Sequence, residues 1–349
     1  MKYFTALMTL LIICSMAFLY GCGSATSGGG GGGGGAAAAA WTYFGNNNDN
    51  RIYYISPTGL NPTGTIELGC YSPYYMTKST DEAKLYVSTA SKEVLVIDTA
   101  TNTFTVLATL DVSSTTKAMQ VSFDGKYLYM GAINDRLYRI SLPDGAVTSE
   151  SVGGTVEAMA LGYDDTELRV FLCNGQRIQS RDTEYPFETG GKFDEDIAPY
   201  TCFNMIYSFG NIYAPLYNAL TGECMILDTD YYVNIITCEG NKLFGAVAIP
   251  GTDEVYVSSC NDPGTIYIID ASSGYSEQTF EGTSISSTEL YNPDFMAATK
   301  DGKYVAVMDP PPPGHQKIGW VDTSTRTIID YSTIPASVAT DNNIVFIYK

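Results

Sequence analysis

Leu85-Tyr86-Val87-Ser88, followed five residues on by Val94-Leu95-Val96-Ile97-Asp98-Thr99, is the passage that decides the fold. Both runs are short, β-branched or aromatic, and separated by a polar turn, which reads as two strands of one hairpin. The first run recurs as Leu128-Tyr129-Met130-Gly131, Leu168-Arg169-Val170-Phe171, Ile212-Tyr213-Ala214-Pro215 and Val255-Tyr256-Val257-Ser258. Val305-Ala306-Val307-Met308 and Val345-Phe346-Ile347-Tyr348 complete the series, and successive starts lie 43, 40, 44, 43, 50 and 40 residues apart. The second run recurs as Leu137–Ser141, Met225–Thr229, Tyr267–Asp270 and Gly319–Thr323, and degrades to Arg177–Ser180 in the third unit. Asp124-Gly125 and Asp301-Gly302 precede the first run, as a tight turn from an earlier strand requires.

A period of 40–50 residues built from four-strand units is the signature of a β-propeller. Nothing at helical spacing persists, so the fold class is all-β: a seven-bladed propeller of four-stranded antiparallel blades. The 309 residues from 41 to 349 give about 44 per blade. The chain stops at Tyr348-Lys349 after a core-type strand, and Arg51–Ser56 matches the run that follows such a strand. The last blade is therefore expected to take inner strands from the C-terminus and outer strands from the N-terminus, which removes open edges. Trp41-Thr42-Tyr43-Phe44 also reads as a core strand, leaving either a surplus strand or an eighth partial blade. Asp98, Asp228, Asp270 and Asp322 recur at the end of the second run and are expected to form hairpin turns.

The phrases from Leu85 to Thr99 and from Phe123 to Met130 resemble the YVTN-type propeller repeat, found in bacterial and archaeal surface proteins and in the lactonase-like propeller superfamily. The resemblance implies fold more than activity, because propellers host binding, scaffolding and catalysis alike.

The N-terminus supplies an address. Residues 1–21 hold Lys2, an apolar run from Tyr3 to Leu19 and no acid, a secretory signal pattern. Leu19-Tyr20-Gly21-Cys22 resembles a bacterial lipobox, with Tyr20 departing from the usual small residue. The resemblance implies cleavage before Cys22 and lipidation of Cys22, and Gly23 after it permits outer-membrane delivery. Loss of Lys2 takes the formal charge from −19 to −20, so lipid rather than surface charge is expected to hold the protein at an anionic bilayer. Residues 22–40 read as the lipidated cysteine and a tether, with eight glycines at 28–35 and five alanines at 36–40. The head is residues 41–349, and the expected location is the cell envelope.

Composition excludes more than it selects. Nineteen Lys and Arg against 38 Asp and Glu argue against a nucleic-acid partner, and a single His excludes multi-histidine metal centres. The six head cysteines, 70, 173, 202, 224, 238 and 260, contain no C-x-x-C. Cys224 and Cys238 sit symmetrically about a hairpin turn and are the candidate disulfide; Cys173 and Cys202 form a second candidate pair. His315, after Asp309 and the four prolines 310–313, is a candidate ligand contact on a stiff loop. Acid runs at Asp164-Asp165 and Asp194-Glu195-Asp196 lack a calcium-loop pattern and read as solvated. Tyrosines cluster at 71–75, 200–207 and 231–232, a candidate aromatic face for glycan or protein. No catalytic residue, metal or cofactor is assigned. The leading expectation is a membrane-anchored, non-catalytic binding or scaffolding module; the alternative is a lactonase-like or other hydrolase with a carboxylate-lined central channel. An electron-transfer propeller is disfavoured by the absence of C-x-x-C-H.

Overall fold

In the computed structural model, residues 40–56, 62–111, 115–164, 167–184, 193–218, 222–227, 233–238, 242–259, 264–272, 278–279, 284–287, 290, 293–309, 317–333 and 344–348 are described. Residues Ala38–Lys349 form one compact unit. The strands make seven antiparallel blades arranged in a ring, a seven-bladed β-propeller. From innermost to outer strand, blade 1 is Pro73–Lys78, Lys84–Thr89, Glu93–Asp98 and Thr103–Thr109. Blade 2 is Thr116–Val121, Tyr127–Ala132, Arg136–Ser141 and Val147–Ser151. Blade 3 is Val156–Asp164, Glu167–Asn174, Arg177–Asp182 and Asp194–Asp196.

Blade 4 breaks its innermost strand into Thr201–Cys202 and Ile206–Ser208, both paired with Asn211–Tyr217, and continues with Gly222–Leu227 and Val233–Cys238. Gln278–Thr279 adds a parallel fifth strand to its outer edge. Blade 5 is Leu243–Ala248, Glu254–Ser259, Gly264–Asp270 and Ser284–Ser287. Blade 6 is Met296–Ala298, Tyr304–Asp309, Lys317–Asp322 and Thr327–Thr333.

Blade 7 closes the ring, with Ile344–Tyr348 innermost, then Ala40–Asn46, Arg51–Ile55 and Gly64–Glu67. This corrects two sequence expectations. Trp41–Phe44 is the core strand of blade 7 rather than a surplus strand, pairing with both Ile344–Tyr348 and Arg51–Ile55. The C-terminus therefore contributes one inner strand, and Val345–Tyr348 is a first strand rather than a seventh core strand. In blade 3, Val170 faces Arg181 as Leu128 faces Ile140 in blade 2. The true tetrad of that unit is Val170-Phe171-Leu172-Cys173, two residues later than the sequence alignment placed it.

Core strands are buried on both faces, because each blade is sandwiched between two neighbours. Leu85 and Val87 point back into the interface with blade 7, whereas Tyr86 points forward into the interface with blade 2. Tyr129, Phe171, Tyr213 and Tyr256 repeat the forward role in blades 2 to 5, and Tyr43 does so in blade 7. Tyrosine at this position brings a hydroxyl to the next blade. Tyr43 donates to Asn102 Oδ1 at 3.1 Å, and Tyr129 donates to the Thr183 carbonyl at 2.8 Å. Burial pushes the Tyr129 phenol up to about 12, so it stays a donor at physiological pH.

Turns use the aspartates expected. Asp98 Oδ1 accepts the Ala100 and Thr101 amides, Asp270 that of Ser272, and Asp322 those of Ser324 and Thr325. Asp228 lies outside the described residues. Asp194-Glu195-Asp196 forms the exposed outer strand of blade 3, where a row of acids blocks edge-to-edge pairing.

Tyr129 separates the two contributions measurably. Tyr129→Phe is expected to cost about 0.5–1.5 kcal/mol in urea unfolding, the net worth of one hydrogen bond. Tyr129→Ala is expected to cost about 3–5 kcal/mol, through the cavity left between blades 2 and 3. Equal losses would contradict this assignment.

Candidate functional site

The innermost strands of all seven blades enclose a central cavity of about 430 Å³, within the range that holds a small ligand. Its wall includes Met76, Met119, Met159, Met205 and Met296. Their registers are equivalent: Met76, Met119, Met159 and Met296 face Val87, Met130, Leu172 and Val307, the third residue of each core tetrad. Met205 stands at the same level in blade 4, one residue before the Ile206–Tyr213 pair, and Ala246 does so in blade 5. All five thioethers are buried in interfaces between blades, so they are a polarizable lining wedged between neighbours. Polar groups on the wall also knit blades together. Gln120 Oε1 accepts the Leu161 amide at 2.8 Å, and Asn204 Oδ1 accepts the Ala246 amide at 3.2 Å.

One end of the channel is shaped by β-bulges. Four innermost strands slip register at their beginnings, at Pro73/Met76, Thr116/Ala118, Val156/Ala158 and Leu243/Ala246. Bulges re-aim side chains, and here the re-aimed residues are Tyr74, Tyr75, Lys117, Glu157 and Phe244. Two are fixed by serines at the fourth tetrad position. The Tyr75 amide donates to Ser88 Oγ at 3.0 Å and the Gly245 amide to Ser258 Oγ at 2.9 Å; Ser258 then donates to the Asp294 carbonyl at 2.8 Å. Gly245 is required, since a Cβ there would sit 2.1 Å from that carbonyl oxygen.

The bulge level divides into two arcs. Blades 4, 5, 6 and 1 supply rings in contact: Phe203 stacks on Phe244 at 4.8 Å, Phe244 meets Phe295 edge-on at 6.2 Å, and Phe295 meets Tyr75 edge-on at 6.2 Å. Blades 2 and 3 supply Lys117 and Glu157. Burial pushes the Glu157 carboxyl above its ordinary value, and Lys117 opposes that shift.

The carboxylate-lined channel of the hydrolase alternative is not what the wall presents. Among the described lining residues none is Asp or Glu, and the one charged residue is Lys78, whose Nζ bonds Glu82 at 2.8 Å.

The other sequence candidates scatter. His315 and Cys22 lie outside the described residues, as do Tyr231, Tyr232 and Cys260. Cys224 and Cys238 are free thiols. The register sets Cys224 opposite Ile236 and Cys238 opposite Gly222, so they are diagonal rather than facing neighbours. Symmetry about the turn misjudged where the hairpin pairs. Cys173 and Cys202 are also free and share the buried core between blades 3 and 4. Tyr200 donates to Glu223 at 2.7 Å, and Tyr71 packs edge-on against Phe104 at 6.0 Å. Sequence reading missed the methionine level, although Met76, Met119 and Met296 each stand nine residues before a tetrad. It also missed Lys117 and Glu157, which look like ordinary strand-edge charges until the bulges turn them.

No protein-family model matches the chain, and no curated protein does. Solved structures supply the likeness. A functionally unknown protein from Desulfotomaculum acetoxidans superposes with a TM-score of 0.69 at 14% identity, covering 88% of this chain and 99% of that one. Dihydro-heme d1 dehydrogenase NirN in complex with DHE gives 0.55 at 11%, covering 85% and 74%. The Dos1 propeller gives 0.57 at 12%, covering 75% and 72%. Identities this low show a shared propeller fold and no more; they do not carry the YVTN-type assignment.

The Glu157 environment is open to measurement. Its carboxyl is expected to titrate above the ~4.3 of an unperturbed glutamate, and higher still in Lys117→Met, by carboxyl-carbon NMR. A raised folded-state value means the charged form is penalised on folding, so Glu157→Gln should leave stability at pH 7 unchanged or higher. A midpoint below ~4.3, or a destabilised Glu157→Gln protein, would contradict this geometry.

Proposed function

We propose that this chain is an exported, lipid-anchored binding module, held to the bacterial cell envelope through Cys22 and carrying its propeller on the tether of residues 22–40. The observation that carries the binding role is the chemistry of the channel. Its wall is mostly thioether, aromatic and aliphatic, and its amide side chains Gln120 and Asn204 each accept a bond from a neighbouring blade. Such a wall suits recognition, because it offers apolar contact with a few fixed polar groups, and among its described lining residues none is Asp, Glu or His. The signal pattern at 1–21 and the lipobox-like Leu19-Tyr20-Gly21-Cys22 support the address. The YVTN-type phrases support membership of a family of surface propellers.

Fractionation and turnover test the two halves. The full chain is expected to take up labelled fatty acid and to sediment with membranes, and Cys22→Ser to take up no label. The purified chain, supplied with divalent cations, is expected to show no turnover of lactone or ester substrates. Label on Cys22→Ser, or none on the full chain, would overturn the anchor, and metal-dependent hydrolysis would overturn the binding role.

A further inference from the structure

Two buried thiols meet across the seam between blades 3 and 4. Cys173 closes the core tetrad of blade 3, and Cys202 ends the first half of the broken innermost strand of blade 4. Both are fully buried. Both belong to the apolar cluster that fills this seam, with Ala158, Phe171 and Ile178 from one blade and Met205, Ala214 and Leu216 from the other. Within that cluster the Cys202 side chain is in hydrogen-bonding contact with the side chain of Cys173.

The strands fix both backbones. Cys173 stands between Ala158 and Ile178 in its sheet, and Cys202 pairs with Leu216 in its own. Each sulfur is also tied within its blade: Cys173 Sγ donates to the Gly175 carbonyl at 3.5 Å, and Cys202 Sγ to the Asn204 carbonyl at 2.9 Å. The two blades are separate sheets, so side-chain packing rather than a strand ladder holds the seam. Sulfurs in contact there meet the first condition for a disulfide, two cysteines whose side chains point at each other. The other described cysteines are placed differently. Cys224 and Cys238 belong to the next seam, between blades 4 and 5, and Cys70 is exposed.

We propose that Cys173 and Cys202 form a disulfide that staples blade 3 to blade 4 when the chain folds under oxidising conditions. Two S–H bonds are lost and one S–S bond forms. The two electrons and two protons pass by thiol–disulfide exchange to a disulfide oxidant, small or protein-borne, which leaves as two thiols. Exchange needs a thiolate, and burial, reinforced by the Cys173 neighbour, holds the Cys202 thiol well above its ordinary value. The bond therefore forms before the seam closes, and the folded, reduced protein oxidises slowly. Once formed, it restricts the unfolded chain and so stabilises the ring. It also pins the channel wall where the innermost strand of blade 4 breaks, since Asn204 and Met205 follow Cys202 directly onto that wall. The staple goes beyond the binding-module reading and does not depend on it.

Fragment mapping tests the bond. The full chain is reduced in urea and refolded in detergent, either with a mixture of glutathione and its disulfide or with reductant alone. Remaining thiols are blocked with N-ethylmaleimide in denaturant, and the chain is cut with trypsin and a glutamyl endopeptidase. After oxidative refolding, the fragment Val170–Arg177 is expected to be joined to the fragment that ends at Glu223 and holds Cys202. After reducing refolding, both fragments are expected to carry N-ethylmaleimide. The oxidised protein is expected to unfold at higher urea than the reduced one, and Cys173→Ala and Cys202→Ala to lose that rise. Full alkylation of Val170–Arg177 after oxidative refolding overturns the staple. So does its attachment to the fragment that begins at Cys224. The wild-type map decides even if a variant fails to fold, and neither result bears on the lipid anchor.

Discussion

Each blade is stable only between two others. The core strand of a blade sends alternate residues into opposite neighbours, so it has no solvent face and no complete core of its own. Seven separate hydrophobic clusters result, one at each junction between consecutive blades. The last of these, where Phe44, Tyr53 and Ile55 of blade 7 meet Ala306, Met308 and Ile318 of blade 6, joins sequence from the two ends of the chain. Interfaces packed like protein interiors transmit strain from one blade to the next.

Circular packing also explains how the channel is built. Innermost strands have one edge without a β-partner, facing the axis, and nothing in the repeat dictates what they carry. Methionine fills the level where neighbouring blades converge, because an unbranched side chain adapts to the wedge between them. Above that level, four bulges release the strands from strict alternation and turn Tyr75, Lys117, Glu157 and Phe244 toward one mouth. The two ends of the channel thus differ in kind, with a bulged level of rings and one charge pair at one end and simple hairpins at the other.

Much of this was legible in the sequence. The tetrads, the second runs and the turn aspartates fix blade number and strand order, because the repeat records packing that every blade shares. What departs from the repeat was hidden. Blade 3 misaligned by two residues because Leu168 and Arg169 imitate the start of a tetrad, whereas it is Phe171 that reaches into blade 4. The closure was half legible: Trp41–Phe44 has the composition of a core strand, but only pairing shows that Val345 lies inside it. Cys224 and Cys238 failed for the same reason, since hairpin register depends on where pairing begins rather than on distance from the turn.

Closure by the C-terminal strand is the claim on which the account turns, and native-state hydrogen exchange tests it most directly. The amides of Ala40–Asn46, and those of Ile344–Tyr348 that donate to it, are predicted to exchange as slowly as those of Lys84–Thr89 in the interior of blade 1. Rapid exchange of Ala40–Asn46, with the other core strands still protected, would contradict it.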